Sequence, residues 1–282
     1  MFNQISSHLR KTTKSFKQVT DIAMKDMTKD CTMYLVERQL EGLKEDRHWE
    51  CELDPEDNDG VKGHFVQLNV NFPLDYRDEE TGAVLESGAT TLHASEAFLE
   101  GNKAIVRGKP KLYSKKTKSK KKDGRRLTVS PIVGDRTVLV VRVDANDAQT
   151  TATEEDLARE IFGTTDSEGN TDSFNLSSAF KSCSHDKLTF SPYTSTSSSP
   201  TQLETNGVLT VDMSETAVIG LSEFVLKDLV LAKVQETFNN ADGNLNSLFD
   251  HIMLCLPAGS GWGNWRAFGY VNHYITVFND NR

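Results

Sequence analysis

The alternation of hydrophobic and polar positions changes character near residue 137. Before that point the apolar segments are short and strand-like. Trp49, Cys51 and Leu53 alternate with Glu50 and Glu52, and Val66, Leu68 and Val70 alternate with Phe65, Gln67 and Asn69; a period of two predicts strands. Cys31–Leu43 (CTMYLVERQLEGL) carries an apolar run of strand or helix character, and Ala83–Val106 reads as short, turn-bounded segments of a β-rich unit. Residues 1–30 form a polar, loosely helical lead-in, and Asp54–Gly60 (DPEDNDG) is a turn by composition.

From residue 137 the runs lengthen. TVLVVRV at 137–143 is a continuous β-branched run, as expected of a strand buried on both faces. Thr153 is placed to cap a helix, with Asp156 three positions on and three acids at its first turn, where the helix N-terminus favours negative charge. Leu157, Ala158, Ile161 and Phe162 form its apolar face and Gly163 ends it. A second short helix is predicted over Leu176–Cys183, and strands over Lys187–Phe190, Val208–Met213 and Ile252–Leu256. Ser222–Thr237 has leucines and valines at helical spacing, with Lys227 and Asp228 assigned to the opposite face. Thr194–Thr201 (TSTSSSPT) is a low-complexity loop, and Phe268 to Phe278 predicts a further edge strand or hairpin.

The fold class that follows is α+β or α/β. A lead-in (1–30) precedes a small β-rich domain (31–108), a basic linker (109–135) and an α/β domain with a mixed sheet (136–282).

Charge refines this picture. The net charge is −9, yet residues 109–126 alone carry +9, leaving −18 on the rest of the chain. A uniform nucleic-acid binder is not built this way, and only Tyr113 interrupts the basic run, so no stacking platform for bases is present. The run is expected to be an exposed linker that does not pack. Its dibasic pairs Lys121-Lys122 and Arg125-Arg126 make it a candidate processing site, and a localisation or polyanion patch is the third reading. No apolar stretch of about 18 residues is present to span a membrane. The N-terminus lacks the apolar core of a secretory signal. It is basic and acid-free up to Asp21, which fits a frayed terminus, a transit peptide or a start upstream of Met1.

The residues able to carry chemistry are sparse. Cys31, Cys51, Cys183 and Cys255 fall two in each half, which suits one disulfide per half in an oxidising compartment or four ordinary thiols; none forms a CxxC pair. His48, His64 and His93 have no metal-ligand spacing. The acids of 54–60 miss the glycine and glutamate positions of an EF-hand loop, and Gly259, Gly261 and Gly263 miss the third glycine of a dinucleotide fingerprint. Asn175-Leu176-Ser177 is a glycosylation sequon, with meaning in a secreted chain.

Several segments together carry a family resemblance: TVLVVRV at 137–143, IFG at 161–163, NLSSAFKSCSHDKLTFSP at 175–192, FDHIMLCLPAG at 249–259 and YVNHYITVFND at 270–280. In order and spacing they resemble the first half of the catalytic domain of gametolysin-type metzincin zinc metallopeptidases. The N-terminal half resembles, more weakly, the pro-segment before such domains, which sets the basic stretch near an activation junction. The resemblance implies an incomplete metzincin-like domain in 136–282, proteolysis of extracellular matrix or cell-wall proteins, a secreted location and a zinc cofactor in intact relatives.

That zinc is held by H-E-x-x-H-x-x-G-x-x-H on a helix, whose glutamate activates the metal-bound water. None of the seven histidines is followed by a second four residues on. The expectation is therefore no catalytic residue, no metal ligand and no bound zinc within these residues, and no peptidase activity from them alone. His251 and His273 are scattered, short of the three ligands a metal needs, and His185-Asp186 beside Cys183 does not make a nucleophile. Cys183 is paired by expectation with Cys255. Without a covering helix, the apolar face of strands 137–143 and 252–256 is expected to be partly exposed, giving marginal stability or self-association. The expected partners are a protein substrate or a related protease. The alternative function is a non-catalytic binding or regulatory module that docks on an active relative.

Overall fold

The computed structural model describes residues 25–26, 30–42, 44–53, 65–94, 96–100, 103–107, 110–114, 133–165, 167–169, 173–194, 207–238, 245–261 and 264–280. It is a strand-rich mixed α/β protein, divided into two compact units. The first comprises the described residues of Met1–Leu35 and His48–Lys115; the second comprises Val36–Arg47 and those of Lys116–Arg282. One hairpin, β2 (Cys31–Leu40) and β3 (Lys44–Glu52), therefore lends its base to the first unit and its tip to the second.

In the first unit, β1 (Lys25–Asp26) pairs with β6 (Glu96–Glu100), β6 with β7 (Lys103–Arg107), and β7 in parallel with β4 (Phe65–Leu68). β4 pairs with the base of β3, and the base of β2 pairs with β5 (Thr90–His93), which pairs with β8 (Lys111–Ser114). The predicted alternation is realised: Trp49, Cys51, Val66, Leu68, Leu92 and Leu112 enter one core. Cys31 and Cys51 lie within it as a disulfide, Cα atoms 5.7 Å apart. A turn at Asp78 closes the unit. Its buried carboxylate accepts from the backbone N–H groups of Glu80, Thr81 and Leu112, which hold its pKa below the ordinary range, the Thr81 bond contributing most.

β8 corrects the expectation that the whole basic run stays unpacked. Leu112 is fully buried between Lys111, paired with Glu80 at 2.8 Å, and exposed Tyr113, so strand alternation overrides charge repulsion there. The remainder of the run lies outside the described residues.

The second unit is organised on β9 (Gly134–Ala145). Helices α1 (Glu154–Phe162) and α2 (Leu176–Cys183) follow, then β10 (Leu188–Pro192) and β11 (Val208–Met213), both parallel to β9 along one side. Helix α3 (Glu223–Thr237) leads through a short 3-10 turn to β12 (His251–Leu256), parallel to β9 on its other side. β14 (Ile275–Asn279) is parallel to β12, β13 (Trp265–Tyr270) antiparallel to β14, and the tip of β2 antiparallel to β13.

The helix ends follow their sequence signals. Thr153 and Asp156 form a reciprocal capping box, and Gly163 closes α1 in the left-handed region at φ 72°. Ser222 caps α3 through Val225 N–H. Gly207 leads into β11 where no side chain fits: a Cβ there would lie 2.6 Å from Pro192 Cβ and 2.9 Å from the Phe162 ring.

The two faces of this sheet are covered differently. α1 and α2 cover Val138, Val140, Met253 and Cys255, together with Leu157, Ala158 and Phe162. α3 lies on the opposite face, where Phe224 meets Phe268 at 5.2 Å between ring centroids. Strands 137–143 and 252–256 are thus buried on both faces, Leu139, Val141 and Leu254 at 0% exposure, and the expected exposure of this apolar face is not found. Helices supplied by the chain itself cover it. Lys227 is a second correction. It is fully buried, its ammonium 2.5 Å from Asp228 Oδ1 and over the Tyr270 ring at 5.7 Å, so α3 hides this cation rather than presenting it to solvent.

Candidate functional site

A charged constellation in the second unit lies where α3, β13 and the tip of β2 meet. Strand alternation on β2 turns Val36, Arg38 and Leu40 towards α3, while Glu37 and Gln39 face outwards and are exposed. Arg38 Nη2 pairs with Glu223 Oε1 at 2.5 Å, their side chains 17% and 4% exposed. Glu223 opens α3, where the helix terminus favours a carboxylate. The glycine loop before β13 passes directly over it. A Cβ on Gly261 would stand 3.0 Å from Glu223 Oε2 and collide with the indole nitrogen of Trp265, and the residue sits at φ 76°. The Trp265 indole N–H donates to Ser260 O at 3.1 Å, which holds the loop in place. Arg38, Glu223 and Lys227 thus lie on the face of the sheet that α3 covers, Glu223 and Lys227 buried and Arg38 half-buried.

On the other face, a shallow groove of about 420 Å³ runs across β14, β13 and the hairpin tip, lined by Glu37, Gln39, Arg47, Gly269, Thr276 and Phe278. It begins where the cover of α1 and α2 ends, and Phe278 is 40% exposed there.

His251 opens β12. Its Nε2 shares a hydrogen bond of 3.1 Å with Thr276 Oγ1, and its ring stacks on Phe190 with centroids 6.2 Å apart. Burial, and secondarily the charge of nearby His273, lower its pKa to about 4, so the ring is neutral near pH 7. His273 lies in the turn between β13 and β14, between the rings of Tyr270 and Tyr274. The two histidines are close enough to feel each other, yet no group of three His, Cys, Asp or Glu side chains converges on a metal position among the described residues. The donor set around His251, one hydroxyl and an aromatic face, does not fit a zinc centre.

The other candidates fall apart in space. Cys183 is exposed at the end of α2, while Cys255 is buried on β12, and the expected bond between them does not form. α2 places Cys183 at its solvent end, whereas Cys255 packs with the core under α1. His185 and Asp186 follow Cys183 on an exposed turn, both in the left-handed region at φ 54° and 60°. Asn175 is the N-cap of α2. It is 9% exposed, its Oδ1 accepts from Ser178 N–H at 2.8 Å, and the Ser177 hydroxyl donates to Phe190 O at 2.6 Å. The sequon is thereby folded into a helix cap, and both its polar side chains are committed. Of the first-half histidines, His48 pairs with buried Glu50 at 3.1 Å and His93 with Asp30 at 2.6 Å. His64, the calcium-like turn at 54–60, and the dibasic pairs Lys121-Lys122 and Arg125-Arg126 lie outside the described residues.

Sequence reasoning missed Arg38 and Glu223. Their available signal was slight: a basic residue between apolar neighbours at period two, and an acid one position after a cap serine. No helix among the described residues is long and apolar enough to cross a membrane. Comparison with family models, with curated proteins and with solved structures returned no match.

Proposed function

We propose that the second unit is the sheet-bearing part of a gametolysin-like zinc metalloendopeptidase domain, a fold for proteolysis of extracellular matrix or cell-wall proteins. The observation that carries this reading is the correspondence between the resembling segments and the elements of one mixed sheet. TVLVVRV lies in β9, IFG closes α1, residues 175–192 make α2 and β10, 249–259 make β12, and 270–280 make β14. Thr276 and Phe278 of the groove stand beside Met253 and Cys255, on the sheet face that α1 and α2 cover, so that face continues past those helices.

These residues would supply framework and not chemistry. A zinc centre of this family needs three histidines and a glutamate on one helix, and neither the sequence pattern nor the described geometry around His251 and His273 fits that set. No catalytic step is therefore assigned to residues of this chain.

The test is to sequence the transcript beyond the codon for Arg282. An in-frame H-E-x-x-H-x-x-G-x-x-H supports the reading; a continuation without it, or a stop codon, overturns it in favour of a non-catalytic binding module. A chain extended through that helix should bind one zinc and cleave a denatured-collagen peptide, and replacing the helix glutamate by glutamine should abolish cleavage while keeping the metal.

A further inference from the structure

We draw no further inference here: the strongest candidate, the shallow groove on the sheet face of β14, β13 and the tip of the β2–β3 hairpin, lined by Glu37, Gln39, Arg47, Gly269, Thr276 and Phe278, is an open face and nothing in the structure shows what covers it.

Discussion

Arg38 and Glu223 meet at 2.5 Å across the junction of a strand and a helix that are 185 residues apart in sequence, and both side chains are largely withdrawn from water. A buried pair of this kind adds less stability than well-packed apolar groups would, but removing one member alone is costly. We therefore expect E223Q to destabilise the second unit by about 2–4 kcal/mol, and an R38L/E223L double variant to recover most of that loss. Urea unfolding followed by fluorescence of the Trp265 region measures both. A double variant as unstable as E223Q would show that the site depends on the charges themselves.

His251 makes stability depend on pH. Its folded pKa, about 4, lies below the ordinary 6.5, so below pH 6.5 the unfolded chain takes up a proton that the folded chain refuses. Stability is accordingly lost as pH falls from 6.5 towards 4, by about 3 kcal/mol from this side chain across the whole span. H251Q keeps a partner for Thr276 and removes the titration. Its stability relative to wild type should rise by about 2 kcal/mol between pH 7.5 and pH 4.5, read from paired urea curves. An unchanged difference between the two pH values would place the acid sensitivity elsewhere.

Gly207 is required by its surroundings. G207A meets a φ of 77° as well as contacts of 2.6 Å and 2.9 Å with Pro192 and Phe162. The expected cost is about 2–4 kcal/mol, seen as a lower melting temperature of the second unit. G134A, at φ 92° with open space around its Cβ, should cost less, about 1 kcal/mol.

Reduction tests the first unit. The Cys31–Cys51 bond joins residues 20 apart, and closing a loop of that size stabilises by about 3 kcal/mol. Dithiothreitol, or a C31A/C51A variant, should lower the unfolding midpoint of the first unit and leave that of the second in place, as resolved by hydrogen exchange. Loss of protection in β9 and β12 would contradict this.

Local signals were legible wherever the responsible physics is local. The capping box at Thr153, the glycine stop at Gly163, the span of α2 and the strand at Val208–Met213 can be read from the residues themselves, because caps and periodicity act within a few positions. The polar sites were not legible in the same way. Asn175 reads as a sequon, but the backbone of α2 takes its side chain as a cap. Lys227 reads as a solvent-facing charge, but Asp228 and the Tyr270 ring keep it buried.

By itself the sequence determined the strand-rich first half, the α/β character of the second and the absence of a zinc-helix pattern, all properties of composition and spacing. Tertiary structure alone decided which cysteines bond, where the sheet stays uncovered, and that Arg38 rests on Glu223. These depend on strand register and on which helix covers which face. A shift of one residue in register would turn Arg38 away from Glu223 and Cys255 out of the core under α1, without altering any local signal in the chain.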